Sequence, residues 1–346
     1  MEYRYQNIIS TIDNLMSNSY SNDKPGAAVM LMLDNTIIYQ KGFGVANLES
    51  GEKITLSTNF RMASVSKQFT AICVALLEQK GKLSFDDNLK SLFPNFNNTT
   101  GSKIKVSHLL THTSGLLDYE EFIVESMTTN QLTDQNVYEL IASQDKTYFE
   151  PGSTFRYSNT GFVLLGLIIE IVSKQSYEQF IKNHIFDPLN MYTTTIYHKN
   201  ESVKNRAMGY ARNENNEFYL SDQSVMSATR GDGCLYTSLE DYLKWSNALF
   251  HLPNLVDLIN FPINNHQFYG MGWFLEKSKN VSMLHIGNTC GFSNMVIRIP
   301  DKKALIVYFS NIADNQLIKN FCHILEQIPE LNPETDLLWT MEKLTR

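Results

Sequence analysis

Apolar residues recur at helical spacing near the start of the chain, where Ile8, Ile9, Ile12, Leu15 and Met16 share one face ahead of the polar stretch 17–25. An amphipathic helix and a loop are predicted there. Two β-rich runs follow, Ala27 to Leu33 and Thr36 to Gln40, and the Asp34-Asn35 pair between them predicts a hairpin. A strand-like run from Phe60 to Ala63 leads directly into Ser64. Phe69, Ile72, Cys73, Leu76 and Leu77 then line one face of a predicted helix over 68–80, which Gly81 is placed to stop.

From Leu83 to about Tyr236 the helical period dominates, notably over 137–142, 161–172 and 177–185, with loops rich in Asn, Thr, Ser and Gly between. Beyond Asp232 the pattern changes again. A helix is predicted over 241–250, strands over 271–275, 281–285, 294–299 and 304–309, and a closing helix over 316–327. β character therefore sits at both ends of the chain and helical character in the middle. The simplest architecture is α/β: an antiparallel β-sheet flanked by helices, built from residues 1–80 plus 232–346 as one discontinuous domain, with an inserted, mainly helical domain over 81–231.

Composition narrows the function classes. The chain has 346 residues, 43% hydrophobic and 19% charged, enough for about two packed domains. Its 29 Lys+Arg against 36 Asp+Glu give −7, so no overall positive field exists to draw in nucleic acid or an anionic membrane. The longest apolar run, Gly161 to Ile169, is nine residues closed by Glu170, short of the roughly 20 that a membrane helix needs. No membrane span is expected. The opening Met1-Glu2-Tyr3-Arg4 lacks a basic region followed by an apolar one. The expected location is cytoplasmic if the chain is native full length, and exported if a leader has been removed. Cys73, Cys234, Cys290 and Cys322 are widely spaced and form no C-x-x-C pair, so buried free thiols are expected.

Ser-x-x-Lys recurs along the chain, notably at Ser21/Lys24, Ser64/Lys67, Ser102/Lys105 and Ser143/Lys146. On a helix the pair shares a face, so the amine can take the hydroxyl proton directly. Three copies lack the context. Lys24 precedes Pro25, which disfavours a helical residue there; Ser102 lies in an Asn/Thr-rich turn; Ser143 lies where a helix runs out. Only Ser64 opens a long apolar helix, where free N–H groups and the helix dipole favour developing negative charge. Taken alone it also fits a plain N-cap with a solvated first-turn lysine.

Tyr-x-Asn occurs at Tyr5, Tyr20 and Tyr157, and only Tyr157-Ser158-Asn159 sits between a turn and an apolar helix. A phenol there can relay protons and an amide can orient a substrate; packing and a helix cap are the plain alternatives. His-x-Gly occurs once, at His285-Ile286-Gly287, where a glycine after a strand allows close approach of backbone to ligand. His108 and His112 have i, i+4 spacing but no third ligand nearby in sequence, so no metal site is expected. No G-x-S-x-G, G-x-G-x-x-G or phosphate loop is present.

Taken in order, the segments 60–67, 109–116, 151–159, 231–233, 269–273 and 285–292 closely resemble the serine β-lactamase-like family, which groups class C β-lactamases, D,D-peptidase penicillin-binding proteins, D-aminopeptidases and related esterases. The resemblance implies an active site in the cleft between the two domains. It implies Ser64 as the acylated nucleophile, Lys67 as its base and Tyr157 as the proton shuttle. Asn159, His285, Gly287 and Asn288 would be substrate-binding residues, with the Ser64 and Asn288 N–H groups forming an oxyanion hole. It implies no cofactor. It departs from true β-lactamases at His285, where those resemble one another in carrying a lysine that helps hold the substrate carboxylate. A histidine is mostly neutral at pH 7, so the expected reaction is hydrolysis of ester or D-amino-acid and peptide amide bonds, with slow or incidental β-lactam turnover. A class C-like β-lactamase, and a non-catalytic protein binding β-lactams or peptidoglycan fragments, are the alternatives. The expected partner in each case is a small molecule or peptide.

Overall fold

A computed structural model describes residues 2–328, apart from 125, 126, 128, 129, 200, 253, 254 and 278–280. The expected α/β class holds. Among the described residues six helices have eight residues or more: α1 (Glu2–Ser19), α2 (Lys67–Gln79), α3 (Asp134–Ala142), α4 (Asn159–Ser173), α5 (Leu239–Leu249) and α6 (Asn315–Leu325). The strands are β1 (Ala27–Leu33), β2 (Thr36–Phe43), β3 (Phe60–Arg61), β4 (Thr195–Ile196), β5 (Tyr210–Arg212), β6 (Phe218–Leu220), β7 (Leu235–Thr237), β8 (Phe261–Pro262), β9 (Gln267–Gly270), β10 (Trp273–Lys277), β11 (Val281–Thr289), β12 (Phe292–Ile299) and β13 (Ala304–Ser310).

Eight strands form one antiparallel sheet in the order β2-β1-β13-β12-β11-β10-β9-β8. The N-terminal hairpin is sewn to the C-terminal strands by the β1–β13 ladder, with Ala27 opposite Ser310 and Met32 opposite Leu305. Helices cover both faces, which is why β1 and β13 are buried at every position rather than alternating with polar residues. On β13 the side-chain alternation is visible in the packing. Tyr308 meets Phe321 of α6 at 5.5 Å between centroids, whereas Phe309, pointing the other way, meets Tyr242 of α5 at 5.5 Å and Phe60 at 6.1 Å.

Several boundaries differ from the sequence reading, for identifiable reasons. The predicted strand over 60–63 is only β3, and it pairs with β7 in a separate three-stranded sheet rather than joining the large one. Ala63 leaves the strand with φ +48°, a conformation a β-branched residue would resist. Residues 63–66 form a 3-10 turn, so Ser64 precedes α2 proper instead of opening it. The strand predicted at 271 begins at Trp273, because Met271 and Gly272 turn the chain at φ +54° and +77°. β11 runs past His285 to Thr289, since the β11–β12 ladder continues through Gly287/Asn294 to Thr289/Phe292. The helix expected over 177–185 is an α-turn, Tyr177–Ile181, followed by a π-helical turn, Lys182–Phe186. The middle region, read as helical, also carries β4, β5 and β6. Cys73, Cys234 and Cys322 are buried free thiols as expected, but Cys290, in the β11–β12 turn at φ +47°, is only half-buried.

Candidate active site

The turn carrying Ser64 is held from three sides. The Met62 N–H donates to the Leu235 carbonyl at 2.8 Å, and Ser66 Oγ accepts from the Leu235 N–H at 3.2 Å, tying the turn to β7. Asn294 on β12 donates to both the Arg61 carbonyl at 2.8 Å and the Gly287 carbonyl at 3.1 Å, tying it to β11. A Cβ added to Gly287 would sit 2.1 Å from the Met62 carbonyl oxygen, so β11 can lie this close only with glycine there.

A cleft of about 530 Å³ opens above the turn, lined by Ser64, Tyr157, Asn159 and Asn288 together with Arg61, Glu120 and Asp232. Four residues singled out in the sequence therefore meet in one cleft although they come from positions 64, 157, 159 and 288. Lys67 lies beneath it, fully buried. Its Nζ is 3.0 Å from Ser64 Oγ, 2.8 Å from Asn159 Oδ1 and 3.0 Å from the Asp232 carbonyl oxygen. These partners suit both charge states of the amine. As an ammonium it donates three hydrogens to three oxygens; as a neutral amine it donates two, to Asn159 and Asp232, and its lone pair faces the serine O–H.

Asn159 is the second residue of the chain to shape this arrangement. Ser158, not Asn159, caps α4, accepting from the Gly161 N–H at 3.3 Å. That frees the Asn159 amide, which accepts from Lys67 and donates through Nδ2 to Glu120 Oε1 at 2.9 Å. The Tyr157 ring lies 5.0 Å from Lys67 Nζ, and its hydroxyl, buried in the cleft wall, has no hydrogen-bond partner among the described residues. The hydroxyl is an unmet donor and acceptor in the wall of the cleft.

His285 sits elsewhere than the sequence reading placed it. Its ring is fully buried and does not line the cleft, so it is not disposed to bind substrate. Nδ1 is 2.7 Å from the Ile286 carbonyl and Nε2 is 3.3 Å from the Tyr269 hydroxyl, which fixes a neutral ring with Nδ1–H donating and Nε2 accepting. Burial, reinforced by the nearby Lys67 charge, pushes its pKa down to about 3. Gly287 likewise does not line the cleft; it acts by letting β11 approach the turn.

The histidine pair considered for a metal is committed to backbone. His108 Nδ1 accepts the Lys105 N–H at 3.2 Å and His112 Nδ1 accepts the Ser158 N–H at 3.1 Å. His112 also packs 4.3 Å from the Tyr157 ring, holding it in place. Among the described residues no three His, Cys, Asp or Glu side chains gather as a metal site would require, and no helix is long and apolar enough to cross a membrane.

Three charged cleft residues were not singled out in the sequence as site residues. Glu120 lies at the mouth, its carboxyl pKa raised by partial burial against the opposing hydrogen bond from Asn159. Asp232, nearly buried, has its carboxyl pKa raised by burial against the opposing pull of Lys67. Arg61 spends its terminal nitrogens inside the wall, on Gln223 Oε1 at 3.0 Å and the Ser227 carbonyl at 2.8 Å. The Gly-Asp-Gly segment around Asp232 was visible in the sequence. The use of its backbone carbonyl was not, because a carbonyl carries no residue-type signal.

The Beta-lactamase family model matches residues 8–320. Penicillin-binding protein 4* of Bacillus subtilis (strain 168) is 32% identical over 328 residues, covering 86% of this chain and 72% of that protein. Protein flp of Staphylococcus aureus (strain MW2) is 28% identical over 319 residues, covering 88% of this chain but 63% of its own length, so the chain spans less than two thirds of that relative. Among solved structures, an octameric penicillin-binding protein homologue from Pyrococcus abyssi superposes with a TM-score of 0.79 at 26% identity, covering 95% of this chain and 78% of that one. A D-amino acid amidase from Ochrobactrum anthropi SV3, complexed with D-phenylalanine, shares the fold with a TM-score of 0.76 at 22% identity, covering 93% and 99%. The extent of the family match and the identity to the Bacillus protein place this chain in the Beta-lactamase family, among serine hydrolases of the β-lactamase and penicillin-binding-protein fold.

Proposed function

We propose that the chain hydrolyses ester or D-amino-acid and peptide amide bonds through an acyl-enzyme on Ser64. The observation that carries this reading is the buried Lys67 Nζ 3.0 Å from Ser64 Oγ, with two further oxygens fixing its direction. In this scheme the Lys67 amine takes the Ser64 proton as Oγ attacks the carbonyl carbon. The N–H groups of Ser64 and Asn288 receive the developing oxyanion, and Tyr157 passes a proton to the leaving group. Water then attacks the acyl-enzyme, with the same residues working in reverse, and the carboxylic acid leaves. Asn159 orients the acyl donor.

The choice among substrates rests on charge. A neutral, buried His285 supplies no cation for a substrate carboxylate, and Arg61 is tied into the wall. The Glu120 carboxylate instead faces the opening. Substrates with a free ammonium, such as D-amino-acid amides, or neutral esters fit this lining better than β-lactams or D-Ala-D-Ala termini. A covalent serine probe followed by peptide mapping is expected to place the adduct on Ser64, and labelling undiminished in Ser64→Ala would overturn the assignment. A panel of nitrocefin, D-Ala-D-Ala peptides, D-amino-acid amides and short-chain esters is expected to show multiple turnovers on the last two; tight binding with no steady-state product release would instead indicate a non-catalytic binder.

A further inference from the structure

A second cavity, of about 630 Å³, lies at the end of the large sheet remote from Ser64, where α5 ends against β11 and β12. Along β11, Met283 at this cavity and Asn288 at the cleft are five residues apart, about 17 Å of extended chain. The inner wall is apolar, formed by Leu249, Phe250, Leu255 and Met283, and Arg298 of β12 and Asn247 of α5 interrupt it.

Arg298 is 2% exposed. Its Nε donates to Ser246 Oγ at 3.1 Å, Nη2 donates to the Ser246 carbonyl at 3.2 Å, and Nη1 meets Met283 Sδ at 3.6 Å, with the Phe250 ring 4.3 Å away. A guanidinium carries five N–H groups, so these three contacts leave one on each terminal nitrogen. Among the described residues no carboxylate pairs with it; Asp301 at the rim is exposed and makes no ion pair with it. Burial lowers its pKa only to about 10, so it stays cationic at neutral pH. Asn247 Oδ1 is buried in the same region and has no donor among the described residues. An unpaired buried cation and an unmet buried acceptor are both costly, and here they border one cavity. Lys303 at the rim adds a second positive charge.

We propose that this cavity binds an apolar N-acyl amino acid. The carboxylate would meet the free N–H groups of Arg298, the amide N–H would meet Asn247 Oδ1, and the side chain would lie among Leu249, Leu255 and Met283. The site is separate from the hydrolytic cleft and does not depend on the reaction proposed for it.

The test is calorimetric titration of N-acetylleucine into the full chain carrying Ser64→Ala, which removes turnover. Saturable one-to-one binding is expected, at least tenfold weaker for N-acetylleucinamide, which lacks the carboxylate, and at least tenfold weaker for Arg298→Gln. Asn247→Leu is expected to weaken it several-fold. The corresponding variants with Ser64 intact should keep their hydrolytic rate and melting temperature. If Arg298→Gln does not fold, Lys303→Glu on the exposed rim gives the same decision through a several-fold loss. Absence of binding up to millimolar ligand, equal binding of acid and amide, binding undiminished in the folded variants, or displacement by inorganic phosphate at equal concentration would each overturn the proposal.

Discussion

In the proposed mechanism Tyr157 allows folding and catalysis to be separated with one oxygen atom. Its hydroxyl is buried with no partner among the described residues, and removing a buried, unpaired polar group is neutral or mildly stabilising. Tyr157→Phe is therefore expected to keep or raise the denaturation midpoint while kcat falls by about 10²- to 10⁴-fold, the usual worth of a positioned proton-transfer group. Equal kcat in the two proteins would remove the phenol from the proposed mechanism. His285 makes a different prediction, because its pKa in the folded protein is about 3 against about 6.5 for a free histidine. Between these values the unfolded chain binds the proton and the folded one does not, so stability from this residue is complete above about pH 6.5 and is lost as pH falls. At pH 5.5 the loss amounts to about 1 kcal/mol. His112, held well below its ordinary value by burial and by Lys67, acts with the same sign. Imidazole NMR signals of both rings are expected not to titrate from pH 8 to 5, and the stability gap between wild type and His285→Gln is expected to shift by about 2 kcal/mol over that range, against wild type at low pH.

At the scale of elements, the periodicities located the six longer helices and six of the eight large-sheet strands to within a few residues, because these segments bury faces whose spacing the sequence displays, whereas the short edge strands β8 and β9 carry no such pattern and were missed. What it did not display is set by contacts distant along the chain. β3 is strand-like in composition, but its partner is Leu235–Thr237, so it leaves the large sheet. The site followed the same division. Ser64, Lys67, Tyr157 and Asn159 of the candidate site were picked out by motif in a helix-and-turn context, and given their roles by the family resemblance. Glu120 and the Asp232 carbonyl reach the cleft by loop packing that no local pattern records. His285 took its substrate-binding role from the resemblance alone, and its ring points into the core, a direction fixed by packing that no local pattern records. Gly287 is the sharpest test of this geometry. A methyl group there would lie 2.1 Å from the Met62 carbonyl oxygen, so β11 must retreat from the Ser64 turn. Gly287→Ala is expected to cost about 1–3 kcal/mol by denaturant titration and to lower kcat/KM by more than that loss of folded protein explains. Unchanged kcat/KM would mean that the spacing between turn and strand does not position the reacting groups.

For the molecule as a whole, charge works over distances that single contacts do not. The net charge of −7 is of one sign with the Glu120 and Asp232 carboxylates at the cleft, where Arg61 is the one lining cation and turns its terminal nitrogens into the wall, so the long-range field and the Glu120 carboxylate at the mouth both attract cations. Lys67 opposes them from below, but it is fully buried and covered by Asn159 and the Tyr157 ring. Such a field raises the rate at which a cationic substrate arrives and fades as salt shortens its reach, from about 10 Å at 0.1 M to about 3 Å at 1 M. Raising ionic strength over this range is therefore expected to lower kcat/KM for a D-amino-acid amide with a free ammonium several-fold. A neutral acyl ester should be left unchanged, and an anionic D-Ala-D-Ala peptide should gain slightly. Glu120→Gln is expected to remove most of the salt dependence for the cationic amide while sparing the ester, because the change keeps the hydrogen bond from Asn159 and deletes only the charge. If the cationic and neutral substrates respond alike, or if Glu120→Gln slows the ester as much as the amide, then the carboxylate holds Asn159 in place rather than selecting the substrate, and the preference for ammonium-bearing donors has no electrostatic basis.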